Sequence, residues 1–202
     1  MFAGLPHRWR ELWRSRMVQC FLVSGLLRLC PAVAVGQAKG DLASEHEVKA
    51  AFLCNIAKYA EWPEESLPPG SPIVIGILGT DPFGPAIDRI VEGRRINGRA
   101  VVLRRAPRLN DLKQAHIIFI SASERDRAPQ ICSVAEVWSA VTVGDTTQTE
   151  PFAAINFDVE RGRIVFTVNL DAARRAETRI SSKLLNLAKA VRGSGRQGVV
   201  GR

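Results

Sequence analysis

The chain is short of side chains that do chemistry. Its 202 residues hold three His, four Cys and one Tyr, and that scarcity removes whole classes of function. No GxxxxGK(S/T) phosphate loop occurs, and "GILGTDPFG" lacks the spacing of a dinucleotide fingerprint. No GxSxG nucleophile elbow exists either. His46 and His116 stand far apart in sequence, and two isolated His with two isolated Cys, Cys54 and Cys132, do not make a metal site. A catalyst built from carboxylates alone needs a chosen pair, and no spacing selects one. The chain therefore reads as a binding or regulatory module rather than an enzyme, with no cofactor.

Residues 1–38 form a separate object. Arg8, Arg10, Arg14 and Arg16 precede an apolar run from Met17 to Val35, and small residues follow, offering cleavage near Ala34 or Ala38. A basic region, an apolar region and a small-residue exit predict a secretory signal peptide and a periplasmic mature protein. The alternative is an uncleaved anchor, for which the run is barely long enough. The leader carries five Arg and one Glu, so its removal leaves 23 basic and 19 acidic residues and lowers the formal charge from +8 to +4. Arg192, Arg196 and Arg202 lie in a Gly-rich tail, 192–202, expected to be flexible. The near-neutral remainder gives no basis for nucleic-acid binding.

Residues 39–191 suit a single α/β domain. "VKAAFLCNIAKYAEWP" predicts a helix that ends before Pro63. Its Val48, Phe52 and Ile56 stripe is expected to meet a sheet. The Leu53, Ala57 and Ala60 side is expected to meet another helix, from the C-terminus or from a second copy. "IVIGILG", "INGRAVVLRR", "HIIFIS" and "SAVTVG" read as strands separated by helices, which predicts a mainly parallel sheet with helices on both faces. "AAINFDVERGRIVFTVNL" reads as an antiparallel hairpin at the sheet edge, turning at Glu160-Arg161-Gly162. Asp171 to Val191 reads as a long C-terminal helix with Ile180, Leu184, Leu187 and Val191 on one face.

In open α/β sheets ligands bind outside the carboxyl ends of the strands. Those ends bring Thr80, Asp81, Ser121, Ser123, Asp145 and Thr146 toward one rim, a candidate site for a small polar ligand. The same residues are also ordinary capping and turn residues. Cys54 and Cys132 are the two cysteines left after export, and a disulfide between them is allowed by the compartment; two unpaired, buried thiols are the other reading.

The stretches "VKAAFLCNIAKYAEWP", "IGILGTDPFG", "INGRAVVLRR", "HIIFISASE" and "INFDVERGRIVFTVNLDAARRAETRISSKLLNLAK" occur in the order and spacing of YfiR-like proteins, which the chain resembles from about Glu45 to Val191. The resemblance implies a periplasmic α/β protein that represses a membrane-anchored diguanylate cyclase by binding its periplasmic sensory domain, lowering cyclic di-GMP and restraining biofilm. It also implies a homodimer and sensitivity to the periplasmic redox state. Relatives often have Tyr where Cys54 stands and Cys where Ala115 stands, so a family disulfide through that second position cannot form here. A small-ligand receptor using the strand-end rim is the alternative function.

Overall fold

The computed structural model describes residues 37–145, 152–193 and 198–199. The longest element is helix α1 (Gln37–Tyr59), followed by the short strand β1 (Ala60–Glu61). Then come β2 (Ile73–Leu78), α2 (Pro85–Val91), β3 (Arg95–Ile96), β4 (Arg99–Ala106) and β5 (Ile117–Ile120). Next are α3 (Ala128–Val137), β6 (Val141–Asp145), β7 (Ile155–Glu160) and β8 (Arg163–Asn169). The chain closes with α4 (Leu170–Arg175), β9 (Arg179–Ile180), α5 (Ser182–Leu185), β10 (Ala190–Arg192) and β11 (Gly198–Val199).

Five strands pair in parallel in the spatial order β4-β2-β5-β6-β7. Read by chain position this is 2-1-3-4-5, so the winding reverses between β2 and β5, and that reversal marks the place where such sheets open a crevice. Every residue of β2 and β5 is buried, as continuous Ile/Val/Leu/Phe runs require when both faces are covered. Alternation assigns the two faces. Ile75, Ile77, Ile117, Phe119, Val141 and Val143 point into the layer that holds α1 and α2. Val74, Leu78, Ile118 and Ile120 point into the layer that holds α3 and Leu112. Contacts gather the described residues from Gly40 onward into one compact unit. Among the described residues no helix is long and apolar enough to cross a membrane.

Two hairpins form where their turns demand. Asn97 and Gly98 have φ of 51° and 81°, and Arg161 and Gly162 have 51° and 73°. Positive φ at both central residues is the geometry that joins twisted antiparallel strands most closely. The first turn creates β3, a strand the sequence reading omits. The second joins β7 to β8 at the expected turn, with Glu160 opposite Arg163. This hairpin does not form the edge, however. β10 adds in parallel beyond β8, and β11, from the Gly-rich tail, pairs antiparallel to β10.

The expected long helix from Asp171 to Val191 is absent. Its segment is divided into α4, β9, α5 and β10. Asn169 caps α4 by accepting N–H bonds from Asp171 and Ala172, and Glu177, at φ 51°, turns the chain out of the helix. Ile180 then pairs with Ala60 in a small two-stranded sheet, β1 with β9, and the Ser181 N–H donates to the carbonyl of Tyr59. Tertiary pairing overrides a helical period that was only four positions long. Leu184 and Val191 do reach the core, while Leu187 is exposed.

Candidate functional site

The carboxyl rim holds most of the residues expected to bind a ligand, but hydrogen bonds distribute them among three clusters. At the reversal between β2 and β5, Gly79 adopts φ +84°. A Cβ there would sit 2.4 Å from Ser123 Oγ and 2.6 Å from Ser121 Oγ, so only glycine fits. The Thr80 N–H donates to Ser123 Oγ at 3.0 Å, and the two seryl oxygens share a hydrogen bond of 2.8 Å. A backbone amide that could meet a ligand oxyanion is thus occupied by the protein's own hydroxyl.

Asp81 belongs to a second cluster. One of its oxygens accepts the Phe83 N–H, and the other accepts Arg105 Nε at 2.6 Å. Arg105, from β4, also forks onto both oxygens of Asp88 at 2.9 and 2.7 Å and reaches the Gly84 carbonyl. Its hydrogen bonds hold the Asp88 carboxyl below the ordinary carboxylate value.

Asp145, the last residue of β6, joins the third cluster through a residue the sequence reading passed over. Lys49, from α1, has a side chain only 4 % exposed, and its ammonium touches Asp145 and Glu45 at 2.6 Å each. Burial alone would lower the ammonium pKa; the hydrogen bonds and charges of the two carboxylates outweigh it and hold it above its ordinary value. The i,i+4 pairing of Glu45 with Lys49 is legible in sequence. The contact with Asp145, 96 residues away, is not. Thr146 lies outside the described residues.

The proposed interface stripe is in the core instead. Leu53 is 0 % exposed, and Ala57 and Ala60 are buried with it among the side chains of one sheet face. Val48, expected against the sheet, is exposed, and Phe52 is half-buried edge-on to Phe157 and tilted against Phe166. The buried face of α1 runs through Ala50, Leu53, Cys54, Ile56 and Ala57, so of the stripe expected against the sheet Ile56 lies in the core, Phe52 meets β7 and β8, and Val48 points out. The small C-terminal elements supply the cover: Ala172, Ala173, Leu184 and Ala188 share this core. Leu53, Ala57 and Ala60 are therefore not a surface for a partner.

Cys54 and Cys132 are both free. Cys54 packs in the layer of α1 and Cys132 in the layer of α3, so the sheet stands between them. A disulfide needs Cα atoms within about 7 Å, which this separation forbids. Burial pushes the Cys54 thiol up and the Cys132 thiol up to about 11, and a thiol kept protonated is a poor nucleophile. Cys54→Ala with Cys132→Ala is expected to cost about 1–3 kcal/mol as lost packing. The melting temperature of the unsubstituted protein should be the same with and without reductant. A melting curve that reductant shifts downward would contradict this arrangement.

The opposite, amino end of the sheet carries a concave surface. A cleft of about 400 Å³ is lined by Pro68, Pro72, Val74, Lys113, His116 and Trp138, among others. Trp138 follows α3, whose outer face exposes Val134 and leaves Val137 81 % exposed. The two valines are three residues apart and so share a side of the helix.

A family profile described as DUF4154, YfiR/HmsC-like, matches residues 46–189. Among solved structures, the chain is similar to a conserved domain protein from Vibrio cholerae O1 biovar El Tor. That similarity has 12 % identity and a TM-score of 0.48, and covers 71 % of this chain and 60 % of that one. No curated protein matches the chain.

Proposed function

The chain belongs to the YfiR/HmsC-like family, and on that premise we propose that it is an exported, non-catalytic repressor of a membrane-anchored diguanylate cyclase, acting on the cyclase's periplasmic sensory domain. The observation that carries this reading is the extent of the match, residues 46–189, which takes in α1 from His46 onward and every element from β1 to α5. The rim supports a protein partner over a small ligand. Thr80, Asp81, Ser121, Ser123 and Asp145 each spend polar atoms on one another or on neighbouring side chains.

The docking face we assign is the outer side of α3, where Val134 and Val137 adjoin Trp138. Exposed valines on a helix otherwise held by its buried Ala128, Ile131, Cys132 and Ala135 add nothing to the core. Buried against a partner, each contributes through apolar area removed from water.

Deleting the gene should raise cyclic di-GMP and increase biofilm, and the wild-type gene should reverse both. Val134→Asp with Val137→Asp should melt within about 1 kcal/mol of the wild type, since surface changes away from special features are small. It should nevertheless behave like the deletion and fail to retain a cyclase-bearing membrane protein in pull-downs. Unchanged cyclic di-GMP in the deletion strain would overturn the repressor reading. Full repression by the double variant would move the docking face elsewhere.

A further inference from the structure

The loop 62–72 joins β1 to β2 at the amino end of the sheet. Within the loop, the Ser66 and Leu67 amides and the Ser66 hydroxyl donate to the Pro63 carbonyl, and Ser71 donates to Pro68. Further bonds tie it to Arg99 and His116. Arg99, at the start of β4, donates to the carbonyls of Leu67, Pro68 and Ser71. His116, just before β5, does three things at once. Its Nδ1 accepts the Val74 N–H at 3.0 Å, its Nε2 lies 3.1 Å from the Ser66 carbonyl, and its own carbonyl accepts Trp62 Nε1 at 3.2 Å. The Trp62 ring packs edge-on against the imidazole, with centroids 5.8 Å apart.

Only one protonation state satisfies both ring nitrogens. Nδ1 must be bare to accept from Val74, and Nε2 must carry the proton to donate to Ser66, so the ring is neutral. A second proton on Nδ1 would set an N–H against the N–H of Val74, in a residue that is buried. The charged groups around the ring oppose it too. Arg99 faces it from β4, and Lys113 lines the same cleft from the connection before β5. None of the ring's hydrogen bonds goes to a carboxylate, and Glu64 and Glu65 of the loop are exposed.

We propose that His116 is a pH-operated clasp, whose neutral Nδ1 fastens the start of β2 at Val74 to the residue before β5 and lets go of it when protonated. Release frees the Val74 amide beside the 400 Å³ cleft, while the Nε2–H bond to the Ser66 carbonyl is kept. The clasp is a property of the isolated chain, so it stands or falls separately from the repressor reading. Burial, assisted by Arg99 and opposed by the Ser66 carbonyl, places the clasped imidazole below its ordinary value. A released His titrates near 6.5. The clasp is therefore at full strength above about pH 6.5 and weakens as pH falls toward the clasped value.

Hydrogen exchange on the purified exported protein tests this. After correction for intrinsic rates, exchange at the Val74 amide should accelerate by up to about tenfold per pH unit below 6.5. The amides of Phe119 and Val143, in central strands, should not follow. His116→Gln, which can bond Val74 but cannot titrate in this range, should remove the pH dependence. A flat Val74 profile in the wild type, or the same acceleration in His116→Gln, would overturn the clasp. If His116→Gln does not fold, imidazole nitrogen shifts in the wild type decide. A neutral Nε2–H ring titrating below 6.5, together with the loss of Val74 protection, supports the clasp; a midpoint at or above 6.5 refutes it.

Discussion

Leu53→Asp is expected to leave the protein largely unfolded. Leu53 is fully buried in the core that one sheet face shares with the C-terminal elements. Removing a buried leucine side chain costs about 2–5 kcal/mol through lost transfer energy and residual cavity. The aspartate adds a carboxyl to a site lined by apolar side chains, and it must either stay charged in the core or take up a proton. Either adds several kcal/mol. A total of about 5 kcal/mol or more meets the whole stability of a typical domain, about 5–15 kcal/mol. Val48→Asp, one helical turn away on the exposed side of α1, is the control and should change stability by about 0.5 kcal/mol or less. Thermal melting and light scattering on the two variants separate the outcomes. A folded, monomeric Leu53→Asp protein would mean that α1 presents this face to a partner after all.

That α1 is a buried helix was legible from its apolar composition, but its end at Tyr59, where β1 begins, and the full burial of its Leu53 side were not. Two apolar stripes lie side by side on α1, and periodicity cannot say which is covered first. The answer depends on Ala172, Ala173, Leu184 and Ala188, which arrive more than a hundred residues later in sequence. The parallel strands were legible because each is a short apolar run buried on both faces. The C-terminal segment was not, because Ile180, Leu184, Leu187 and Val191 mimic a helical face while β1 and β8 recruit β9 and β10 from it. At the rim, the residue types were readable from the strand ends. Their partners were not: Arg105 for Asp81, Lys49 for Asp145, and Ser123 for the Thr80 amide are long-range contacts that no local pattern encodes. The same limit hid His116, whose clasp on Val74 spans 42 residues.

Asp145→Ala is expected to destabilise by about 3–5 kcal/mol, because removing one member of a buried ion pair leaves its partner's charge uncompensated. Lys49 would keep only Glu45, whose side chain is 25 % exposed and shares its oxygens with solvent. Surface ion pairs such as Arg89 with Glu47 are worth far less, since both partners already sit in water. The diagnostic result is the coupling. In a Lys49→Met background there is no ammonium to strand, and the two carboxylates no longer hold a shared cation. Asp145→Ala should then cost about 1 kcal/mol or less, and it relieves repulsion with Glu45. The cycle should give an interaction energy of about 2–4 kcal/mol, at the upper end of the range for residues in one network. Raising ionic strength from about 0.1 to 1 M should change that energy little, because buried pairs are weakly screened. Additive costs would mean that Lys49 and Asp145 act separately, and that α1 is held to the carboxyl end of β6 by packing alone.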